Sequence, residues 1–257
     1  MQARHRTAFP VMGTTASVHV NDDVSEVQFA SVAAALQAEL ERLEQIFSVY
    51  RPTSEISRIN TGELHLLDAS PEVIDVMDAC TWLEQVSEGA FRIRPRADDP
   101  TLNSSGIDPS GFVKGWAAER ASRLMLEAGL EHWYLGVGGD YVLHGGFDVA
   151  TPWVIGVAHP LTPDTFAGDV TLMTGGIATS GTAERGEHIW RVGDDEGRGH
   201  DDETQGFASV TVVGPSLTWA DAFATTVFAM GEPGLDWIGQ FTDYQVLVVP
   251  ITGPVAH

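Results

Sequence analysis

Apolar side chains recur at every third or fourth position early in the chain, which is the pattern of a helix with one buried face. The run contains Val32, Leu36, Leu40, Leu43 and Phe47. Ser25 and Gln28 have the spacing of a capping box, so we predict that the helix begins there. A strand from Ala16 to Val20 and a turn over residues 21–23 are predicted before it.

Three later segments carry the start and stop signals of helices. The first begins with Ser70 as its cap and stops at Gly89, and it places Cys80 in the core. The second runs from about Phe112 to Ala128, and the third runs from Leu217 to Met230. We interpret the first of these helices, like the one that begins at Ser25, as scaffold.

Short segments rich in β-branched and aromatic residues dominate the rest of the chain and predict strands. They run from Trp133 to Val137, Tyr141 to His144, Trp153 to Val157, Val170 to Met173, Ser209 to Val213 and Tyr244 to Val249. The strands come in groups, which favours an α+β fold over a doubly wound parallel sheet. We expect one domain over residues 1–257, with an acidic, mobile surface loop over residues 193–206.

Composition narrows the possible functions. The formal net charge of -22 at pH 7 opposes binding to nucleic acid and to anionic lipid. No apolar run has the length of a membrane span, and the first residues lack the apolar stretch of a secretory signal, so we expect a cytoplasmic protein without a membrane anchor. A single cysteine excludes an internal disulfide and a cysteine-rich metal site, so oxygen or imidazole ligands would hold any metal.

Lys114 is the only lysine among the 14 basic residues. It follows Asp108 and Gly111 at the predicted entrance of a helix, where free amides and the helix dipole attract anions. A compact ammonium group in the first turn would suit a phosphate oxygen beside a metal ion. The alternative is a solvated surface lysine.

Asp221 and Thr225 are four residues apart in a predicted helix and therefore project from the same face. Their carboxylate and hydroxyl can converge on a hard cation such as Mg²⁺, which typically takes one or two carboxylates together with phosphates and waters. The alternative makes Asp221 an acid of the first helical turn and Thr225 a hydroxyl bonded to its own helix.

Several other motifs are weak or absent. The segment over residues 136–141 begins like a dinucleotide fingerprint but lacks its last glycine and its helix, so it predicts a tight turn between strands. Ser180 is interpreted as a turn residue. A phosphate-binding loop, an HExxH zinc helix and a GxSxG nucleophile elbow are all missing from the sequence.

Taken in order, these segments resemble the ApbE family of FAD:protein FMN transferases. The matching segments are Met12-Gly13-Thr14, Tyr50, Ser54 to Asn60, Gly89-Ala90-Phe91, Asp108 to Gly115, Gly138-Gly139-Asp140, Ala178 to Gly181, His188-Ile189 and Asp221 to Thr225. The resemblance implies an α+β fold with mixed, mostly antiparallel sheets, flanking helices and a cleft for the flavin dinucleotide.

The resemblance also implies site residues. A Mg²⁺ site, which would also accept Mn²⁺, is implied at Asp221, Thr225 and the carbonyl of Gly111. Contacts to FAD are implied at Met12, Tyr50, Ala90, Phe91, Asp108, Lys114 and Ile189. Lys114 and Asp221 would act in catalysis at the pyrophosphate. His188 is the candidate for proton transfer, with a structural or ligand-orienting histidine as the alternative.

The activity implied by the resemblance is a magnesium-dependent transfer of FMN from FAD to a threonine of a partner flavoprotein, with release of AMP. An FAD pyrophosphatase and a non-catalytic FAD carrier remain alternatives. Two departures from the family pattern favour the carrier: Arg92 stands where an acid is usual, and Trp190 follows the His-Ile pair where Asp-Pro is usual. The retained Asp221, Thr225 and His188 oppose it.

Overall fold

The computed structural model of the chain describes residues 3–93, 106–181 and 206–251. Its helices are α1 (Glu26–Phe47), α2 (Glu55–Asn60), α3 (Pro71–Val86), α4 (Ser110–Glu127), α5 (Leu217–Met230) and α6 (Pro233–Ile238), with a 3₁₀ helix at Leu66–Asp68. Its strands are β1 (His5–Val11), β2 (Thr14–Val20), β3 (Trp133–Val137), β4 (Asp140–His144), β5 (Trp153–Ala158), β6 (Phe166–Leu172), β7 (Gly175–Gly181), β8 (Phe207–Gly214) and β9 (Gln245–Pro250).

The strands form one large and one small sheet. The seven-stranded sheet has the order β1-β2-β3-β4-β7-β8-β9, and β5 pairs with β6 alone. Every strand pairing within the described ranges is antiparallel. Strand β2 alternates between faces, because Ala16, Val18 and Val20 are fully buried while the residues between them are partly exposed. The predicted α+β class is confirmed.

The large sheet is covered on both faces. Helices α1, α4 and α5 pack on one face, and the main core fills the space between them and the strands. The β5–β6 hairpin covers part of the other face, where Trp153 packs with Leu143 and Ile177. Helix α4 contacts β3 and β4 while α5 contacts β7 and β8, so the two helices lie side by side over the middle of the sheet.

Helix α5 is almost entirely buried, because β7, β8, α4 and α6 surround it. Its first turn is held by Glu119 of α4. Oε2 of Glu119 accepts hydrogen bonds from the Ser216 hydroxyl at 2.7 Å, the Thr218 amide at 2.7 Å and the Thr218 hydroxyl at 2.6 Å. This carboxylate satisfies donors at the start of α5, where unpaired amides are costly to bury.

The helix predictions agree with the structure in most respects. The hydroxyl of Ser25 accepts a hydrogen bond from the Gln28 amide at 3.2 Å and caps α1, and α5 has the predicted bounds. Ser70 occupies the predicted cap position of α3, but its side chain makes no capping bond. Helix α4 begins at Ser110, so Lys114 lies in the second turn and not in the predicted first turn.

Two strands were missed by the sequence patterns. Strand β1 precedes the first predicted strand, and β7 contains Ser180, so the interpretation of Ser180 as a turn residue is wrong. Strand β7 escapes a period-two pattern because both of its faces are buried. The turn predicted over residues 136–141 is confirmed as the β3–β4 hairpin. No helix of the described ranges is both long and apolar enough to cross a membrane.

Candidate functional site

A cleft of about 700 Å³ opens between the start of α4, the end of α1 and two hairpin turns of the large sheet. Its lining includes four residues predicted to contact FAD, which are Met12, Tyr50, Asp108 and Lys114. Glu44, Phe47, Ser48, Val49, Arg51, Ser110, Val113, Gly13, Thr14 and Gly138 complete it. A volume of this size lies in the range that accommodates small-molecule ligands and cofactors.

The two hairpin turns bring main chain to the cleft. Met12 and Gly13 connect β1 to β2 with φ of 52° and 69°, and Gly138 and Gly139 connect β3 to β4 with φ of 59° and 87°. Two-residue hairpin loops with positive φ at both positions are typical of type I′ turns. Met12 adopts this left-handed conformation although it has a side chain, which is uncommon and concentrates at functional sites.

Helices α4 and α5 approach closely beside the cleft, where Gly115 permits the contact. A Cβ atom on Gly115 would lie 2.7 Å from Cβ of Asp221 and 2.9 Å from the carbonyl oxygen of Leu217. The Gly115 amide donates to Oδ2 of Asp221 at 2.9 Å. In an α-helix the same amide faces the carbonyl of Gly111, so the Gly111 carbonyl and the Asp221 carboxylate lie near one donor.

Lys114 joins two buried carboxylates. Its ammonium group forms an ion pair with Oδ2 of Asp140 and lies 3.7 Å from Oδ1 of Asp221. The Lys114 side chain is only 11% exposed, so the alternative of a solvated lysine is wrong. Asp140 also accepts a hydrogen bond from the Thr179 amide at 3.0 Å. This hydrogen bond holds the Asp140 carboxylate in place for its ion pair with Lys114.

Burial raises the pKa of Asp140 above its usual range. The Lys114 ammonium opposes this shift, and the neighbouring Asp221 carboxylate adds to it. When both carboxylates are ionised, Lys114, Asp140 and Asp221 together carry a net charge of about -1. Burying this charge away from water costs free energy. A cation beside Asp221 would offset that charge, so the residues present fit a metal ion on electrostatic grounds.

Hydroxyl groups lie close to these carboxylate and carbonyl oxygens. The hydroxyls of Thr225 and Ser180 are hydrogen-bonded at 3.1 Å. A Cβ atom on Gly111 would lie 3.6 Å from Cγ2 of Thr225, so the predicted Gly111 and Thr225 ligands are neighbours. Oxygen ligands of this kind suit Mg²⁺ and Mn²⁺. Within the described part of the chain, no group of three or more His, Cys, Asp or Glu side chains is arranged to hold a metal.

The alternatives for Asp221 and Thr225 do not match the structure. Asp221 is the fifth residue of α5 and therefore lies beyond its first turn. The hydroxyl that bonds its own helix belongs to Thr226, which donates to the Ala222 carbonyl at 2.7 Å, whereas Thr225 meets Ser180.

Tyr50 stands at the rim of the cleft and is 83% exposed, which is unusual for so large a ring. Its amide donates to the Ser48 hydroxyl at 3.2 Å. Beside it, Arg51 forms an ion pair with Glu44 of α1 at 3.3 Å. An exposed aromatic face held by a bonded main chain is available for stacking against a planar ligand.

The predicted metal ligands Gly111, Asp221 and Thr225 are not part of the cleft lining. Other predicted residues also do not line the cleft, or they lie outside the described ranges. Ala90 is half-buried and Phe91 belongs to the main core, and neither lines the cleft. Arg92 is exposed and donates to the Gly89 carbonyl at 2.6 Å. His188, Ile189 and Trp190 lie outside the described residues, as does the predicted acidic loop over 193–206 except for Gly206.

Asp140 and Ser180 were not proposed from the sequence as site residues. Both lie in segments that carried the family resemblance, Gly138-Gly139-Asp140 and Ala178 to Gly181. The family resemblance was the signal that could have identified them, because the side-chain contacts of both residues are with residues distant in sequence. Asp140 contacts a helix that begins 30 positions earlier, at Ser110.

Comparison with known proteins identifies the family of the chain. The model of the ApbE family matches residues 12–97 and 97–248. A FAD:protein FMN transferase from Escherichia coli is 29% identical over 170 residues, which are 63% of this chain and 47% of that protein. The chain thus spans about half the length of that relative. A FAD:protein FMN transferase from Vibrio cholerae is 23% identical over 271 residues, covering 87% of this chain and 80% of that protein.

Solved structures share the fold over nearly the whole chain. The ApbE protein of Thermotoga maritima and the flavin transferase ApbE of Vibrio cholerae each superpose with a TM-score of 0.76 at 22% identity, covering 96% of this chain and 94% of theirs. The flavinyl transferase ApbE of Pseudomonas stutzeri has a TM-score of 0.74 at 17% identity, covering 97% and 96%. Because the family model matches most of the sequence and the fold agrees, the chain belongs to the ApbE family.

Proposed function

We propose that this protein is a FAD:protein FMN transferase. It binds FAD in the cleft, transfers the FMN moiety to a threonine hydroxyl of a partner flavoprotein, and releases AMP. The observation that carries the proposal is the position of Lys114, which lines the cleft and lies between the carboxylates of Asp140 and Asp221. An ammonium group at the wall of a cleft beside oxygen ligands suits a metal-bridged pyrophosphate.

Asp221, Thr225 and the Gly111 carbonyl would hold Mg²⁺, or Mn²⁺ in its place. When bound, such an ion withdraws charge from phosphate oxygens. Lys114 would bind another oxygen of the same pyrophosphate, and its contact with Asp140 keeps the ammonium group in place for that role. Lys114 and Asp221 are therefore the catalytic residues of this proposal.

The transfer exchanges one phosphorus–oxygen bond for another. The threonine oxygen bonds to the phosphorus on the flavin side, and the bond from that phosphorus to the bridging oxygen breaks. AMP leaves with the bonding electron pair, and the hydroxyl proton passes to a base. His188 is the proposed base, because imidazole titrates near neutral pH.

The cleft lining supports the proposed FAD contacts. Met12 offers a left-handed turn with an adaptable apolar side chain, Tyr50 offers an exposed ring, and Asp108 offers a carboxylate beside the start of α4. Ala90, Phe91 and Ile189 complete the proposed set. For Phe91, which is buried in the core, we propose a contact through its main chain or after a shift of its ring.

The wider setting is proposed on the same basis. The chain acts as one domain over residues 1–257 in the cytoplasm, and its macromolecular partner is a flavoprotein acceptor. Its net charge of -22 opposes nucleic acid as a partner. Arg92 departs from the family pattern beside the proposed flavin contacts Ala90 and Phe91, so binding of FAD without turnover is kept as an outcome of the test. Hydrolysis of FAD to FMN by water is kept as a second outcome, because it uses the same site.

One assay separates these outcomes. The purified protein is incubated with FAD, Mg²⁺ and a flavoprotein domain that carries a candidate threonine, and the products are analysed by chromatography and mass spectrometry. Transfer produces AMP and an acceptor whose mass increases by that of FMN. A matched acceptor in which the threonine is replaced by valine should gain no mass.

The other results would contradict transfer. AMP together with free FMN would identify a pyrophosphatase, and bound but unchanged FAD would identify a carrier. A protein that fails to bind FAD at all would refute the proposal for the cleft. Removing Mg²⁺ with a chelator should abolish AMP release if the protein uses the proposed metal site.

A further inference from the structure

Helix α2 lies between two segments that line the cleft and is bonded to both. It contains only six residues, Glu55–Asn60, and Ser54 caps it by accepting a hydrogen bond from the Ser57 amide at 2.9 Å. Ile56 is fully buried and anchors the helix in the core. A helix this short has little stability by itself, and side-chain hydrogen bonds connect it to the neighbouring segments.

The first set of bonds reaches the segment that ends in Tyr50. The Ser54 hydroxyl donates to the Ser48 carbonyl at 2.5 Å, and the Ser57 hydroxyl approaches the same carbonyl at 3.3 Å and the Val49 carbonyl at 3.4 Å. Ser48 and Val49 line the cleft immediately before Tyr50. The start of α2 therefore holds the main chain that presents the exposed tyrosine ring.

The second bond set reaches the segment that leads into α4. The Asn60 amide group donates to the Ile107 carbonyl at 2.9 Å, and the Ile107 amide donates to Oδ1 of Asn60 at 2.7 Å. One side chain thus pairs with both main-chain groups of Ile107, as a neighbouring strand would. Asparagine supplies a donor and an acceptor in the same plane, which this paired contact requires.

Ile107 precedes Asp108, which lines the cleft at the start of α4. The Asp108 amide donates to the Ile93 carbonyl at 2.6 Å, and its Oδ1 accepts from the Ser110 amide at 2.9 Å. These bonds orient Asp108 only relative to its own segment and to Ile93. The Asn60 contact adds a link to α2 and, through it, to the Tyr50 segment.

We infer that Asn60 is a positioning residue that sets the distance between the two walls of the cleft. It fixes Asp108 and the start of α4 on one side, while Ser54 and Ser57 of the same short helix fix the Tyr50 segment on the other. The consequence for FAD rests on the proposed function, whereas the restraint on Ile107 does not. Losing both Asn60 bonds frees the Ile107 segment to move, so FAD binding would require it to be ordered again.

The experiment compares Asn60→Ala with Asn60→Asp in the full chain. The alanine variant loses both bonds, and the aspartate variant keeps the acceptor for the Ile107 amide. Asn21→Ala is the matched control, because the Asn21 amide also donates to a distant carbonyl, that of Phe147 at 2.6 Å, and neither residue lines the cleft. Hydrogen exchange is measured without FAD, and FAD affinity is measured by calorimetry with Mg²⁺.

For Asn60→Ala we expect exchange of the Ile107 amide to accelerate by about tenfold or more, without acceleration in the β3–β4 hairpin. FAD affinity should fall by roughly tenfold, with KM affected more than kcat. Asn60→Asp should restore protection of the Ile107 amide only in part, because it keeps the acceptor for that amide but turns a carboxylate oxygen toward the Ile107 carbonyl. Asn21→Ala should leave both the Ile107 exchange and the FAD affinity at wild-type values.

Unchanged exchange at Ile107 in Asn60→Ala would overturn the inference. So would an equal loss of FAD affinity in Asn21→Ala, or faster exchange over the whole chain in place of a local change. If the wild-type protein binds no FAD, the proposed function fails, and the exchange rates by themselves decide whether Asn60 restrains the Ile107 segment.

Discussion

The amide of Gly115 donates a hydrogen bond to the carboxylate of Asp221 at 2.9 Å, and this contact joins the two helices that carry the candidate site. It is possible only because position 115 has no side chain. The Cβ of any other residue would lie 2.7 Å from Cβ of Asp221. In the Lys114-Gly115 pair, the glycine is therefore required for helix packing, and the lysine supplies the positive charge.

Gly115→Ala should destabilise the protein by about 2 kcal/mol, because overpacking a tight helix contact forces the helices apart. It should also weaken metal binding, since Asp221 must move. The free energy of unfolding is measured by denaturant titration. Gly168→Ala is the control, because its new Cβ would meet only Leu247 at an ordinary 3.5 Å. Equal stability of Gly115→Ala and the wild type would refute the close approach.

Lys114→Met should cost about 3 kcal/mol of stability, because it leaves the fully buried Asp140 without its cationic partner. It should also weaken FAD binding. Replacing Asp140 at the same time, in Lys114→Met/Asp140→Asn, should recover part of the lost stability while FAD affinity stays low. A double-mutant cycle measures this coupling. Additive effects of the two substitutions on the free energy of unfolding would show that the pair does not interact.

Asp221→Asn should lower metal affinity by at least about tenfold, because a neutral amide replaces the anionic ligand. Binding of Mn²⁺ in the presence of FAD can be followed by electron paramagnetic resonance. Asp236→Asn in α6 is the matched control, since that carboxylate is exposed. Wild-type Mn²⁺ affinity in Asp221→Asn would remove Asp221 from the proposed metal site.

Glu119→Gln should destabilise the protein by about 2 kcal/mol, because its Oε2 atom accepts three hydrogen bonds at the start of α5. Glutamine can still place its carbonyl oxygen at that position, but a neutral oxygen accepts all three bonds more weakly than a charged carboxylate does. Thermal unfolding reports the change. Glu127→Gln at the exposed end of α4 should leave the midpoint unchanged, and a similar loss there would argue against a specific role for Glu119.

Local patterns predicted the elements whose own residues decide their structure. The spacing from Val32 to Phe47 identified α1, and start and stop signals identified α5 with its correct bounds. Strand β7 was missed because both of its faces are buried, so its residues do not alternate between apolar and polar. A Cβ atom on Gly176 would lie 2.4 Å from Cα of Leu217, so glycine is required there by the approach of α5 and not by any local preference.

The sequence by itself determined the α+β class, the acidic surface charge and the candidates Lys114, Asp221 and Thr225, because periodicity, composition and an isolated lysine are all visible along one chain. Only the tertiary structure decided that Lys114 pairs with Asp140, that Ser180 meets Thr225 and that Asn60 holds Ile107. These partners are far apart in sequence, and their contacts arise from how α4, α5 and α2 pack. No local propensity encodes such distances.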